Sequence, residues 1–186
     1  MENKKGALIV SDSRGQILAF YSSPSFDPNI FVSDDKKIKS KVQDVLTNES
    51  LPLFDRVISG TYHPGSVFKL VTATAALEEA AISKEFRYDD PGVITIGDKF
   101  AYNNWYFTQH GKTEGNIDLT KALSRSTDTF FYKVGEMLGV DKLSSWADKF
   151  GFGKITGVDL PGEVIGIVPS PQWKWKVKNE AWFLGN

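Results

Sequence analysis

The stretch SVFKLVTATAALEEA, residues 66–80, predicts the central element of the fold. It is apolar on nearly every face for two turns, and acidic side chains enter only at Glu78 and Glu79. A helix that is apolar all round belongs in a protein core. Because Pro64 and Gly65 form a turn that can deliver the chain into a helix start, we expect a buried helix over residues 66–80.

Weaker patterns precede and follow this helix. Residues 7–10 and 17–21 are apolar runs separated by a polar turn at residues 13–15, which is typical of a β-hairpin. The charge-rich residues 33–50 indicate a loop and a short surface helix. Residues 88–105 combine turn residues with alternating apolar positions, which predicts an extended excursion with short strands.

A pair of helices is predicted after the excursion. Residues 117–139 and 140–153 both carry helical spacing of apolar side chains. Asp118 stands where a helix N-cap is wanted, and Gly139 and Gly151 stand where helices stop. The expected order is therefore hairpin, central helix, excursion and helix pair.

Composition indicates one globular domain and excludes several classes of site. The chain has 186 residues, 41% of them hydrophobic, and a net charge of −1 from 22 basic and 23 acidic side chains. Without a positive field, nucleic acid is not an expected partner. There is no cysteine and there are only two histidines, so we expect no disulfide, thiolate nucleophile, metal site or cofactor. No window approaches the roughly 18–20 apolar residues of a membrane span, so we expect the chain as given to be soluble.

Ser66 and Lys69 suggest nucleophilic chemistry at the start of the central helix. Side chains three positions apart share a helix face. Because the lysine is flanked by Val67, Phe68, Leu70 and Val71, we expect a poorly hydrated amine, and desolvation disfavours its charged form. A neutral amine at hydrogen-bond range could take the serine's proton, as in Ser-Lys nucleophiles. The alternative is structural: Ser66 caps the helix and Lys69 extends to solvent.

The same spacing occurs a second time, at Ser33 and Lys36. S-x-x-K is a short pattern that arises by chance. Since this copy lies in the charged surface stretch, where a lysine stays hydrated, we interpret it as a chance match. A different pattern, at Ser126 and Asp128, places a hydroxyl and a carboxylate where they could bind a lysine and relay a proton. Its alternative is an ordinary polar helix start.

Four long stretches of the chain carry a family resemblance: GALIVSDSRGQILAFYSSPSFDPNIF, PLFDRVISGTYHPGSVFK, STDTFFYKVGEMLGVDKLSSWADKFGFGKITGVDLPGE and WKWKVKNEAWFLGN. Together they resemble the transpeptidase domain of class B penicillin-binding proteins. The likeness begins at Gly6 and follows the family order. Within the class the chain is most similar to the elongation-type branch, penicillin-binding protein 2, which has Asp at the third position of the S-x-N element, as at Asp128.

The resemblance implies an α+β fold with three αβα layers, of the serine DD-peptidase and β-lactamase type, in which helices flank an antiparallel sheet. Residues 1–5 would be a start segment or linker, and residues 6–186 the N-terminal portion of the domain, made of the hairpin and the helical half. The family's third element, K-T-G or K-S-G, is absent, since neither GKTEG at 111–115 nor GKITG at 153–157 matches it. In the family that strand follows the region of residues 182–186. The resemblance therefore implies an incomplete domain that is a poor catalyst alone.

The resemblance also implies roles for the candidate residues. Ser66 would be the acyl-forming nucleophile, with its backbone N–H as half of the oxyanion hole, and Lys69 its general base. Ser126 would pass a proton to the leaving group. Asp128 would hold Lys69 and contact the substrate backbone. Of the two histidines, His63 would fill a turn, and the other would be structural.

The implied reaction of the intact protein is peptidoglycan D,D-transpeptidation. Its substrates would be stem peptides ending in D-Ala-D-Ala, which β-lactams mimic, and a partner would be a glycan-polymerising membrane protein of the elongation machinery. The family carries a membrane anchor, which implies an inner-membrane protein whose catalytic domain faces the periplasm or the extracellular side.

Four other functions remain open from the sequence. A penicillin sensor or a class D β-lactamase would share S-x-x-K, and a fragment could serve as an interaction module. A phosphate-binding loop is the fourth, because Gly60 and Gly65 have its spacing. That loop requires a lysine where this chain has Ser66.

Overall fold

The computed structural model describes residues 4–96 and 100–182. The chain divides into two compact units. The first contains residues up to Tyr62 together with Ile155–Ile165, and the second contains His63–Lys154 and the residues from Gly166 onward. Part of the predicted start segment and the final FLGN of the last family-like stretch lie outside the described residues.

The first unit begins with the predicted hairpin. Strands β1 (Gly6–Ser11) and β2 (Ile17–Ser23) pair antiparallel, with a register shift between Val10 and Ser11. The Asp12 carboxylate closes the turn, because it accepts hydrogen bonds from backbone N–H groups two and four residues later at 2.8 and 2.9 Å. The hairpin prediction is confirmed.

The rest of the first unit is a surface helix and a set of loops. Helix α1 (Lys36–Leu46) has no buried residue, which confirms the predicted surface helix, and Asp35 caps it by accepting from the Lys37 N–H at 2.8 Å. The loops are held by Arg56, which is 7% exposed. Its guanidinium donates to the carbonyls of Ser50 and Leu51 at 2.6 and 3.0 Å, so loop carbonyls that lack a ladder partner are satisfied.

The second unit is built on the predicted central helix. A 3₁₀ turn (Gly65–Phe68) leads directly into helix α2 (Lys69–Glu78). Its buried residues include Ala73, Ala75 and Ala76, whose small side chains let neighbouring helices approach closely. The expectation that the helix is buried on every face is wrong, because residues 67 and 70 are 67% and 55% exposed. Within the described residues of this chain, nothing covers that side of the first turn.

The excursion contains the predicted short strands. Strand β3 (Arg87–Asp90) pairs antiparallel with β6 (Gly115–Asp118), and β4 (Val93–Ile96) pairs antiparallel with β5 (Phe100–Asn103). Helix α3 (Trp105–His110) follows β5 and was not predicted.

The first member of the predicted helix pair is two helices. Helix α4 (Leu119–Arg125) starts at the Asp118 cap and ends at Ser126, whose φ of 53° is left-handed, and helix α5 (Asp128–Leu138) starts anew. A continuous helix over 117–139 is therefore wrong, because Ser126 breaks the ladder. Helix α6 (Val140–Lys149) is the predicted second member.

A last helix, α7 (Pro171–Lys178), was also not predicted. Helix α2 packs on α5 and α6. The core joins α2, α4 and α5 to β6 through the buried residues Ala73, Ala76, Ile82, Ile117, Ala122, Phe130, Phe131 and Val134. Helices and antiparallel strand pairs together confirm the α+β class. In the part of the chain that the structure describes, no helix combines the length and apolarity needed to cross a bilayer.

Candidate active site

Ser66 lies inside the 3₁₀ turn that precedes α2, and its side chain is exposed. The N-cap positions of the turn and of α2 are Pro64 and Phe68, and neither makes a side-chain capping bond. Ser66 is therefore not the capping residue of the structural alternative. In a 3₁₀ helix, side chains three positions apart eclipse, so this turn aligns Ser66 with Lys69 more closely than an α-helix would.

Lys69 points into the protein, with its side chain 13% exposed. Its Nζ donates three hydrogen bonds: to the Ser126 carbonyl at 2.7 Å, to Ser126 Oγ at 2.9 Å and to Asp128 Oδ1 at 2.5 Å. The Phe131 ring centroid lies 5.6 Å from Nζ. The structural alternative, in which Lys69 extends to solvent, is excluded. The expected burial of the amine is present, but Val67 and Leu70 are exposed and do not provide it. The contacts of Nζ come from α5 and the segment before it.

Ser126 connects the lysine to the nucleophile candidate. Its Oγ accepts from Lys69 Nζ and donates to Ser66 Oγ at 2.8 Å. All three acceptors of Nζ belong to Ser126 and Asp128, so Lys69 reaches Ser66 through the Ser126 hydroxyl. The structure thus brings together all four candidate residues from two separate segments of the chain.

The electrostatics of the site come from α5 and its neighbours. Asp128, in the first turn of α5, has a side chain 30% exposed and pairs with Lys69. Burial, with the nearby Asp128 and Tyr102, raises the pKa of the Tyr132 phenol above its ordinary value. Tyr132 is therefore a neutral phenol at physiological pH.

Residues outside the sequence-predicted set support this arrangement. Asn104 and Trp105 hydrogen-bond the backbone on either side of Ser126, through Asp128 N–H and the Arg125 carbonyl. Their signal in the sequence was weak, because single long-range hydrogen bonds leave no periodic pattern. The only usable cue was NNW, residues 103–105, where polar residues meet an aromatic one after a strand.

The two histidines are not part of the site. His63 is exposed, and His110 ends α3 with its ring 4.9 Å from that of Tyr106. Throughout residues 4–96 and 100–182, no group of three or more His, Cys, Asp or Glu side chains is arranged to hold a metal ion.

The chain is similar to known proteins over its whole length. A family model described as penicillin binding protein transpeptidase domain matches residues 6–183. The peptidoglycan D,D-transpeptidase MrdA of Acinetobacter baumannii is 37% identical over 188 residues, which cover 100% of this chain and 27% of the relative. The chain therefore spans little more than a quarter of that relative's length.

Solved structures of penicillin-binding proteins also resemble this chain. Penicillin-binding protein 2 in its complex with MreC from Helicobacter pylori is 36% identical with a TM-score of 0.87, covering 99% of this chain and 33% of that one. A peptidoglycan synthase complex that coordinates polymerization and crosslinking is 31% identical with a TM-score of 0.80, covering 97% of this chain and 30% of that one. These likenesses confirm the predicted serine DD-peptidase fold and the similarity to the penicillin-binding protein 2 branch. The chain belongs to the penicillin-binding protein transpeptidase family.

Proposed function

We propose that residues 6–186 are the N-terminal portion of a transpeptidase domain, and that the intact protein crosslinks peptidoglycan stem peptides through an acyl-enzyme on Ser66. The observation that carries the proposal is the hydrogen-bonded line from Lys69 Nζ through Ser126 Oγ to Ser66 Oγ, at 2.9 and 2.8 Å. A hydroxyl linked in this way to a largely buried amine is the arrangement of an activated nucleophile.

Acylation begins with a neutral Lys69. Serine hydroxyls rotate and both donate and accept, so the line can reverse its polarity. Ser66 O–H then donates to Ser126 Oγ, and Ser126 O–H donates to Nζ. As Ser66 Oγ bonds to the carbonyl carbon of the penultimate D-Ala, its proton moves along this line to Lys69. The Ser66 N–H, at the N-terminal turn where backbone donors lack intrahelical partners, stabilises the developing oxyanion.

Product release and transfer use the same groups in the opposite direction. The peptide C–N bond breaks, and the proton returns from Lys69 through Ser126 to the nitrogen of the departing D-Ala. An amine from a neighbouring stem then attacks the ester carbon and gives up one proton to Lys69 through Ser126. The bond to Ser66 Oγ breaks, and that proton returns along the same line to Ser66 Oγ. Asp128 holds the lysine throughout and offers its second carboxylate oxygen to the substrate backbone.

The relatives suggest where this reaction takes place. The Helicobacter pylori structure contains MreC, and the synthase complex couples polymerization to crosslinking. By analogy, the intact protein works beside a glycan-polymerising membrane protein in the elongation machinery, anchored in the inner membrane with the catalytic domain on its outer side. β-Lactams acylate Ser66 because they mimic D-Ala-D-Ala.

The test uses the full-length protein, a fluorescent penicillin and a D-Ala-D-Ala peptide with an amine acceptor. We expect a stable penicillin adduct that Ser66→Ala abolishes, together with D-Ala release and an amide product. Rapid penicillin hydrolysis would support a β-lactamase instead. Acylation without any turnover of the peptide would support a sensor, and absence of both reactions would support an interaction module.

A further inference from the structure

The backbone at Ser126 is held in an unfavourable conformation. Its φ of 53° lies in the left-handed region, which is unfavourable for a non-glycine residue. Two of the three acceptors of Lys69 Nζ, the carbonyl and the hydroxyl of Ser126, depend on this conformation. A residue that supplies both must be fixed by its surroundings, because strained backbone persists only where neighbours determine it.

The chain before Ser126 is fixed by α3. Trp105 Nε1 donates to the Arg125 carbonyl at 2.8 Å. The Arg125 guanidinium lies 4.9 Å from the Trp105 ring and 5.0 Å from the Tyr106 ring. It also donates to Glu114 Oε1 at 2.9 Å, and the Glu114 side chain is only 6% exposed. Both the backbone and the side chain of Arg125 are therefore anchored.

The chain after Ser126 is fixed by the residue next to that tryptophan. Asn104 is fully buried, and its Oδ1 accepts from the Asp128 N–H at 3.4 Å. Its Nδ2 donates to Asp90 Oδ2 at 3.2 Å, and Thr129 Oγ1 donates to Asp90 Oδ1 at 2.6 Å. The start of α5 is thus attached to Asp90 by two routes.

Asp90 anchors the whole arrangement. It is 3% exposed, and it also accepts from the backbone N–H groups of Gly92 and Glu114 at 2.9 and 2.8 Å. Four donors on two carboxylate oxygens satisfy a buried charge without a cation. Because these donors come from β3, β5, β6 and α5 or from the residues beside them, Asp90 ties the excursion to the segment that carries Ser126 and Asp128.

We propose that Asn104 and Trp105 are positioning residues for acyl transfer, and that Asp90 anchors them. Asn104 and Trp105 hydrogen-bond the backbone on both sides of Ser126 and so keep its carbonyl and hydroxyl directed toward Lys69. Neither contacts Ser66 or Lys69, so they act through Ser126. This inference rests on the proposed transpeptidase function and adds to it the group that sets the geometry of the proton relay.

The test is Trp105→Phe in the full-length protein, with Trp146→Phe as its matched control. Trp146 Nε1 donates to Glu79 Oε1 at 2.9 Å, so both changes remove one indole hydrogen bond and keep an aromatic ring. The readouts are the penicillin acylation rate constant, the affinity of the complex that precedes acylation, and the thermal unfolding midpoint.

We expect Trp105→Phe to lower the acylation rate constant by about 10- to 100-fold, since small misplacements of reacting groups cost that much. The affinity of the complex that precedes acylation should be unchanged in Trp105→Phe, and its unfolding midpoint should match that of Trp146→Phe. The acylation rate constant of Trp146→Phe should equal the wild-type value. Equal rate constants in the two variants would overturn the proposal.

A second variant covers the case in which Trp105→Phe does not fold. Thr129→Val keeps the side-chain shape and removes one donor to Asp90, and we expect a smaller loss in the rate constant with unchanged affinity. An unchanged rate constant here would also count against the proposal. If wild-type protein is not acylated at all, the proposed function itself fails. This outcome differs from failure of the positioning proposal, in which wild-type protein is acylated and the variants react at the same rate.

Discussion

The two S-x-x-K segments of this chain have the same motif and opposite surroundings. In the first unit, Ser33 Oγ accepts from the Asp35 N–H at 3.2 Å, and Lys36 is the exposed first residue of α1. In the second unit, the Lys69 side chain is 13% exposed, and its Nζ donates hydrogen bonds to three acceptors.

The difference lies in groups distant in sequence. The partners of Lys69 stand 57 and 59 residues further along the chain, at Ser126 and Asp128. Among the described residues, the hydrogen bonds of Ser33 reach only Asn29 and Asp35. The S-x-x-K motif therefore places a serine and a lysine on one face, and the tertiary fold decides whether the pair joins a buried hydrogen-bond network or lies in a surface turn.

Replacing the lysines in parallel should give the largest contrast. Lys69→Ala should lower the penicillin acylation rate constant of the full-length protein by about 10²- to 10⁴-fold, the usual contribution of proton transfer. Lys36→Ala should have no effect. A Lys69→Ala rate within tenfold of wild type would mean that this amine is not the base.

The acidic partners give the next contrast. Asp128→Asn keeps the size of the side chain but removes the charge that holds Lys69, and Asp35→Asn changes a cap that Asn serves equally well. Because a hydrogen bond to a charged group contributes about 1.5–3 kcal/mol, we expect acylation to fall about 10- to 100-fold in the first variant only. Equal rates in the two variants would assign no such role to Asp128.

Asp90 allows a comparison in pH. Burial alone would raise the pKa of Asp90. The lowering effect of four hydrogen bonds is larger and holds the pKa below its ordinary value; the donors are Thr129, Glu114, Gly92 and Asn104. The carboxylate therefore stabilises the fold above the unfolded-state pKa of about 3.9, and this contribution is lost as pH falls through the lower folded pKa.

Asp90→Asn should accordingly reduce the free energy of unfolding by about 1–3 kcal/mol at pH 7, because an amide places donors against donors. The difference in the free energy of unfolding between Asp90→Asn and wild type should become smaller below about pH 4. The exposed Asp89, next to Asp90 in β3, is the control, and Asp89→Asn should change stability little. Denaturant unfolding from pH 3 to pH 7 measures both. A gap for Asp90→Asn that does not change with pH would contradict the assigned role of its charge.

The smallest expected effect concerns two neighbouring threonines. Thr129 is paired with Asp90, whereas Thr127 is fully buried and its Oγ1 is the buried side-chain atom without a partner among the described residues. Thr127→Val should therefore be neutral or raise the free energy of unfolding by about 1 kcal/mol, and Thr129→Val should lower it. Loss of stability in Thr127→Val would show that its hydroxyl is satisfied.

Local patterns predicted much of this fold. The hairpin, the surface helix and the central helix follow from periodicity and turn residues, which act over a few positions. Helix α7 was missed although Ser170 accepts from the Trp173 N–H at 3.1 Å and Pro171 is the first helical residue, a start signal that the sequence does contain.

The site could be predicted only in part. The apolar neighbours of Lys69 indicated burial, but they could not indicate which side would be covered, so Val67 and Leu70 were misassigned. Asn104 and Trp105 carry only a weak local signal because each makes its contact across more than 19 residues, at separations of 24 and 20. The four candidate residues themselves came from two short motifs and a family resemblance.

The most direct test of the account is to map the covalent adduct on the full-length protein after penicillin treatment, digestion and tandem mass spectrometry. The peptide of residues 57–69 contains Ser66, and the first-unit copy of the motif falls in a separate peptide. We predict one adduct, on Ser66, with Ser33 unmodified. An adduct on Ser33 or Ser126, or none on Ser66, would contradict the claim that burial and distant partners convert this serine-lysine pair into a nucleophile.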